Sequence, residues 1–291
     1  MEHLTNPVYM QAVLRRHGFR FQKKYGQNFL MNEGVLQSMV DAAGVTKDDF
    51  ILEIGPGMGT LTQVLSERAG KVLAVALDDN LIPILEDTLF GRSNVEVMHA
   101  DILKVDLHQI AEEKNDGKPM KVAANLPYYI TTPILMELLT KKVPMESVTV
   151  MVQKEVALRM QAGPGSKDYG ALSLAIQYYT EPELVCIAAP DDFMPPPKVE
   201  SAVIHLKMRE EPVVTDVDEK ALFTVIKAVF AQRRKTLLNS LSNGPGMTND
   251  KQKIRDVICD MGWEETIRGE KLTLEEFASL TREMTKRSMF D

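Results

Sequence analysis

The run Ile51-Leu52-Glu53-Ile54, followed at once by Gly55-Pro56-Gly57-Met58-Gly59, constrains this chain more than any other stretch. Apolar residues of strand character end in Gly-x-Gly-x-Gly, and Thr60-Leu61-Thr62 opens a helical pattern. Strand, glycine turn and helix in that order bring backbone close to a ligand and aim the N–H groups of the helix start at it. A glycine loop alone is a weak signal, and its meaning depends on the elements around it.

Those elements alternate. A strand is expected at 71–77, where Val72 to Leu77 are uninterrupted apolar residues, as in a strand buried on both faces, and 79–89 carries Leu81, Ile82, Leu85 and Leu89 on one helical stripe. Further strands are expected at 50–54, 95–100, 121–124, 147–152, 183–189 and 201–208. Helices are expected at 33–43, 60–69, 154–161 and 170–179, with another starting near Thr131 or Thr132 and holding Pro133 in its first turn. The alternation implies an α/β fold with a mainly parallel sheet and right-handed crossovers.

After Arg209-Glu210-Glu211-Pro212 the character changes. Ala221, Leu222, Val225, Ile226, Val229 and Phe230 recur at helical spacing, 250–261 and 273–286 read as helices, and Asn243-Gly244-Pro245-Gly246 breaks between them. At 291 residues there is room for a large domain and a small one. The expected division is a basic N-terminal arm at 1–24, an α/β domain at 25–209 and a helical domain at 210–291.

Composition narrows the function classes. With 44% hydrophobic and 26% charged residues, the chain is that of an ordered globular protein. No apolar run approaches the roughly 18 residues needed to cross a bilayer, and residues 1–20 lack a signal-peptide pattern. Cys186 and Cys259 lie far apart, which suits reduced thiols and a cytoplasmic location. The histidines show no ligand spacing, so no metal is expected. A net charge of −7 disfavours a polyanion partner on average, yet the cations cluster. Arg15, Arg16, Arg20, Lys23 and Lys24 form one group and Arg233, Arg234 and Lys235 another, which raises a nucleic-acid reading.

In an open parallel sheet, ligands bind beyond the carboxyl ends of the strands. Three strand ends carry suitable residues there: the glycine loop, Asp101 and Asn125. Taken singly, Asp101 reads as a helix cap and Asn125 as a turn former; together they point to a cofactor site. The loop lacks the Lys-[Ser/Thr] of a triphosphate-binding loop, and its third glycine comes one residue early for a nicotinamide fingerprint. The run Asn125-Leu126-Pro127-Tyr128 suits methylation of an exocyclic base amine, whose lone pair is delocalised into the ring. An amide oxygen from Asn125 and an adjacent backbone carbonyl can accept both N–H protons and localise that lone pair. Pro127 stiffens the turn, and Tyr128 can stack on a flipped base.

These motifs resemble those of a known family. Gly26-Gln27-Asn28-Phe29-Leu30, Glu53-Ile54-Gly55-Pro56-Gly57, Asn125-Leu126-Pro127-Tyr128-Tyr129-Ile130, Phe193-Met194-Pro195-Pro196-Pro197-Lys198-Val199-Glu200-Ser201 and Gln232-Arg233-Arg234-Lys235-Thr236-Leu237 are similar to the motifs of bacterial small-subunit ribosomal RNA adenine dimethyltransferases. The resemblance spans about residues 20–285. It implies a Rossmann-like methyltransferase sheet with a small C-terminal all-α domain. The implied activity is S-adenosylmethionine-dependent dimethylation of N6 of two adjacent adenines near the 3′ end of 16S rRNA, in the immature small subunit, by a monomer. The implied donor site is Asn28, Leu30, Gly55, Gly57, Ala76, Leu77, Asp101, Ile102 and Asn125, with Asp101 bonding the donor's adenine amino group. Asn125, Leu126, Pro127 and Tyr128 would form the catalytic turn, and Phe193 would face Tyr128 across the target base. Lys23, Lys24, Lys198, Arg233, Arg234 and Lys235 would contact RNA.

One position departs from the resemblance. The family carries a glutamate, whose carboxylate takes the donor's ribose hydroxyls, where this chain reads Val75-Ala76-Leu77-Asp78. A hydrogen bond to a charged group is worth about 1.5–3 kcal/mol, so Ala76 implies donor binding weakened roughly 10- to 100-fold. Asp78 lies on the same side of the strand but further out. Rival readings are a 23S rRNA adenine methyltransferase, which shares the fold, and a non-catalytic small-subunit assembly factor. A DNA adenine methyltransferase is disfavoured by Leu126, where such enzymes usually have a second proline.

Overall fold

Residues 3–22 and 26–290 are described by the computed structural model, and they divide into two units. The first comprises Met1–Ala157 and Pro182–Met208. It opens with helix α1 (Pro7–Arg16), where the sequence suggested only an aperiodic basic arm. The Asn6 side chain accepts from the Val8 and Tyr9 N–H groups, and Pro7 occupies the first turn. Met10, Val13 and Leu14, at i, i+3 and i+4, are buried in a cluster with Met58, Ala76, Leu81 and Leu85. That stripe spans little more than one turn, and the neighbouring basic residues obscure it in the sequence.

Next come β1 (Phe29–Leu30) and α2 (Glu33–Ala42), which buries Val35, Leu36, Met39 and Val40 as their spacing suggests. The wound core follows as β2 (Phe50–Ile54), α3 (Thr60–Arg68), β3 (Lys71–Ala76), α4 (Ile82–Thr88), β4 (Val95–His99), α5 (Leu107–Asn115), β5 (Met120–Asn125), α6 (Thr131–Thr140), β6 (Met145–Gln153) and α7 (Lys154–Gln161). Helix α5 is absent from the sequence reading; it buries only Leu107, Ile110 and Ala111 among polar residues. The chain goes on through α8 (Ala171–Tyr179), β7 (Thr180–Ala188), β8 (Phe193–Met194) and β9 (Ser201–Met208).

The large sheet has the order β4-β3-β2-β5-β6-β9-β7. The pairs β2–β3, β3–β4, β2–β5 and β5–β6 are parallel, and β9 runs antiparallel to β6. Winding proceeds outward from β2 to β4, then restarts at β5 on the other side of β2. The neighbouring carboxyl ends of β2 and β5 therefore mark the topological switch point, where an open sheet leaves a crevice.

A two-stranded sheet beside it pairs β1 with β8, placing Phe29 opposite Met194 and Leu30 opposite Phe193. The Met31 N–H donates to the Asp192 carbonyl at 2.7 Å, and Asn32 Nδ2 donates to Asp192 Oδ1 at 2.7 Å. Two segments far apart in the chain are thereby fixed to each other, and the first of them forms one wall of the crevice.

The second unit comprises Leu158–Glu181 and Arg209–Asp291, and it holds α9 (Glu219–Ala231), α10 (Leu237–Ser242), α11 (Lys251–Asp260) and α12 (Leu274–Lys286). A boundary near 209 would leave α8 with the sheet, but aromatic packing draws it to the helices. Tyr179 stacks on Phe223, and Tyr169 meets Phe230 edge-on, each with centroids 6.0 Å apart. The Tyr169 hydroxyl donates to the Leu272 carbonyl at 2.8 Å, and that of Tyr179 to Glu219 at 2.6 Å.

Candidate active site

All five residues of β2 are buried, so the strand delivers Glu53 and the glycine loop to the carboxyl edge of the sheet as a rigid piece. Gly57 and Gly59 have φ values of +59° and +94°. A β-carbon at Gly57 would lie 3.1 Å from the Phe29 ring, and one at Gly59 would lie 3.1 Å from Leu89 and Thr88. Helix α3 starts with no side-chain cap, which leaves the N–H groups of its first turn to a ligand.

The loop forms part of a cavity of about 240 Å³. Its other walls are residues 26–30, 75–78, 100–103 and 125–130, with Leu81 and Ile134. Asn28, Leu30, Gly55, Gly57, Ala76, Leu77, Asp101, Ile102 and Asn125 all meet there. Asp101 also does the work of an ordinary cap: Oδ1 accepts from the Leu103 N–H at 3.1 Å, while Oδ2 lies 3.6 Å from the Lys104 ammonium.

Asn125 is held by its amide nitrogen, which donates to the Asn28 carbonyl at 3.1 Å. A carbonyl can only accept, so the atom facing it must be the NH₂ group. The amide oxygen is thereby turned elsewhere and left as an acceptor at the cavity wall. Behind it the Pro127 carbonyl accepts from the Ile130 N–H at 3.1 Å and the Thr131 hydroxyl at 3.2 Å, which pins the Asn-Leu-Pro-Tyr turn. Tyr128 lines the cavity, and its hydroxyl lies 2.7 Å from Ser201 Oγ.

Asp78 is committed to the protein itself. Its carboxylate accepts from Gln27 Nε2 at 2.6 Å, Gln22 Nε2 at 3.3 Å, and the Asn80 N–H and side-chain amide at 3.1 and 2.8 Å. It anchors the chain near residues 22 and 27 to the end of β3. This role was not readable from the sequence, because both glutamines lie about 50 residues away.

Glu53 is a second feature that the sequence reading passed over. The residue borders the cavity yet is 1% exposed, and burial pushes the pKa of its carboxyl group up to about 8, with the Thr62 hydroxyl opposing this only in part. Among the described residues, Glu53 Oε2 and Thr62 Oγ1 are buried without a well-formed hydrogen-bond partner. The acid is thus protonated in the fold over a range where the unfolded chain ionises it, so its contribution to stability is full below about pH 4.5 and is lost as pH rises towards 8. Glu53→Gln removes this titration with little change of shape. Its stability relative to the parent should rise between pH 5 and pH 9, by roughly 3–5 kcal/mol in total. Parallel denaturant melts across that range measure the difference, and a constant offset would refute the buried acid.

Phe193, expected to face Tyr128, is not among the residues that line the cavity. It is 3% exposed and packs in a core cluster with Leu30, Val35, Met39 and Val203. The cause is the β1–β8 pairing, which sets Phe193 against Leu30. Lys198 is exposed on the first unit. On the second, Gln232–Lys235 are exposed, but the Arg233 guanidinium donates to the Lys167 and Tyr169 carbonyls at 2.6 and 2.8 Å. Lys23 and Lys24 lie outside the described residues. Among the described residues no group of three His, Cys, Asp or Glu could hold a metal ion, and no helix is long and apolar enough to cross a membrane.

The fold is shared with a dimethyladenosine transferase from Plasmodium falciparum, with a TM-score of 0.72, 24% identity, and coverage of 90% of this chain and 99% of that one. It is also shared with the 23S rRNA methyltransferase ErmE, with a TM-score of 0.66, 24% identity, and 89% and 100% coverage. Sequence relatives run much closer. The ribosomal RNA small subunit methyltransferase A of Lachnoclostridium phytofermentans is 56% identical over 281 residues, covering 96% of this chain and 97% of the relative. Its counterpart in Alkaliphilus metalliredigens is 50% identical over 287 residues, covering 99% and 100%. The family model of the ribosomal RNA adenine dimethylases matches residues 18–281, so that the sheet, the glycine loop and most of the helical unit fall inside the match. The chain belongs to the ribosomal RNA adenine dimethylase family.

Proposed function

We propose that the cavity binds S-adenosylmethionine and that the enzyme dimethylates N6 of two adjacent adenines in a loop near the 3′ end of 16S rRNA, on the immature small ribosomal subunit. The observation that carries this reading is the Asn125 amide, whose nitrogen is tied to Asn28 and whose oxygen is left as an acceptor beside the glycine loop. S-adenosylmethionine supplies a methyl group bonded to a positively charged sulfur. The residues present fit such a donor: a glycine cradle that a β-carbon would fill and an uncapped helix start whose N–H groups face the cavity.

Asn125 and the neighbouring Leu126 carbonyl accept the two N–H groups of the target amine, which concentrates its lone pair on nitrogen. Tyr128 offers a ring face to the base. Once alkylated, the nitrogen loses its proton readily, so no side chain is needed as a general base. Phe193 serves this site as a buttress, holding β1 and so the carbonyl of Asn28 in place.

Lys198, Arg234 and Lys235 are assigned to RNA phosphates, whereas Arg233 holds the loop at Lys167–Tyr169. Neutralising Arg234 and Lys235 together should weaken subunit binding and flatten the log–log salt dependence by about two. Filter binding across a salt series would show this. An unchanged slope would remove both side chains from the interface.

Methyl transfer from labelled donor to undermethylated small subunits tests the main reading. A second reading, an assembly factor that binds the subunit without methylating it, is favoured by one observation: Ala76 offers no acid, and the Asp78 carboxylate is already engaged. Subunit binding without any methyl transfer, at saturating donor, would select it.

A further inference from the structure

Tyr128 is fixed at both ends. At its backbone, the preceding Pro127 carbonyl is taken by Ile130 and Thr131. At its tip, the hydroxyl meets Ser201 Oγ at 2.7 Å. Ser201 itself has no freedom to follow a moving ring. It is fully buried at the start of β9, opposite Gln153 of β6 in the antiparallel register. The residue before it is clamped as well, since Lys154 donates to Glu200 through its backbone N–H at 3.0 Å and its ammonium at 2.8 Å.

The neighbouring Tyr129 provides the contrast. It also lines the cavity, but it is 56% exposed and its hydroxyl has no such tether among the described residues. A tyrosine has two side-chain torsions; a hydrogen bond at the far end of the ring fixes the first, and because the phenol O–H prefers to lie in the ring plane it also biases the second. Holding the ring before the substrate arrives lowers the ordering cost of stacking a flipped base. Burial raises the Tyr128 pKa, so the phenol stays neutral and the Ser201 contact is a hydrogen bond between uncharged groups.

We propose that Ser201 is a positioning residue, whose hydroxyl locks the Tyr128 ring in the attitude that receives the target adenine. This rests on the reading of the Asn125–Tyr128 turn as the site of amine methylation. It also gives a role to the last residue of the Pro195–Ser201 motif, which is otherwise only a chain segment running into β9.

The bond can be removed from either end, by Ser201→Ala or by Tyr128→Phe, with the ring kept in both. Each is expected to lower kcat on undermethylated small subunits about five- to tenfold, with KM for subunits and Kd for the donor changed less than about twofold. Because both remove the same interaction, the double variant should be no slower than the singles, and Ser201→Thr should restore most of the rate. An RNA hairpin with 2-aminopurine at the target position reads the same effect without turnover: its quenching on binding should weaken equally in Ser201→Ala and Tyr128→Phe.

Parental kcat and quenching in Ser201→Ala, or a double variant whose loss is the product of the two, would overturn the positioning role. A parent protein that neither methylates nor quenches would instead strike down the methylation site, and the proposal with it. Quenching in the parent that survives in Ser201→Ala overturns the positioning role alone.

Discussion

Asn125→Ala is expected to lower methyl transfer about 10²- to 10³-fold, the scale seen when one preorganised polar group is removed from a reacting centre. Burial and folding should change little, because Asn125 stands at the last position of β5 and the strand is paired on both sides. The lost group is the amide oxygen, turned toward the cavity because the nitrogen is spent on the Asn28 carbonyl. Without it, only one of the target amine's two N–H groups keeps an acceptor, and its lone pair stays spread into the ring. Asn28 loses a partner too, so some loss of donor affinity is expected, and rates must be compared at saturating donor. Single-turnover transfer to undermethylated subunits is the measurement. A rate within tenfold of the parent would show that the Asn125 oxygen does not touch the reacting nitrogen. Asn125→Asp sharpens the point: it keeps an acceptor but sets a carboxylate against the Asn28 carbonyl, so it should lose donor affinity more than Asn125→Ala does.

Part of this site is visible in the sequence and part is hidden in it. Residues 50–54 and 72–76 read as strands because both of their faces are buried and they are apolar apart from Glu53. The glycine loop, Asp101 and Asn125 read as a site because a parallel sheet puts successive strand ends on one edge. The orientation of the Asn125 amide could not be read that way, since it depends on a carbonyl 97 positions earlier in the chain. The same holds for Phe193. Its motif is plain, but its direction is set by pairing with β1, two residues long and without any periodicity of its own. Helix α1 was hidden for a different reason: its apolar stripe is Met10, Val13 and Leu14 alone, and its partners are Met58, Ala76 and the α4 face. Aromatic contacts made α8 part of the helical unit, and tertiary contacts of that kind leave no mark on local pattern.

Ala76→Glu is expected to raise donor affinity roughly 10- to 100-fold, the worth of one charge-assisted hydrogen bond. Ala76 closes β3 at the cavity wall, and it is 2% exposed among Phe29, Met58 and Leu81. Asp78, two residues on, is not free to serve in its place, because its carboxylate already accepts from Gln22, Gln27 and Asn80. Taking ribose hydroxyls with Asp78 would mean giving up those bonds, which join residues 22 and 27 to the strand end. A glutamate at 76 carries its own cost in the free protein, where a carboxylate enters an apolar wall without a partner. The variant should therefore melt several degrees below the parent without donor and regain much of that difference when donor is present. Calorimetric titration of S-adenosylmethionine into both proteins gives the affinities directly, and equal values would sink the idea. Subunit binding supplies the control. The proposed RNA contacts are Lys198, Arg234 and Lys235, so it should not change; if methyl transfer rises with donor affinity while subunit binding stays constant, position 76 governs loading of the donor and nothing else. Should subunit binding shift as well, the end of β3 would have to touch RNA, and the division between donor wall and RNA surface drawn above would fail.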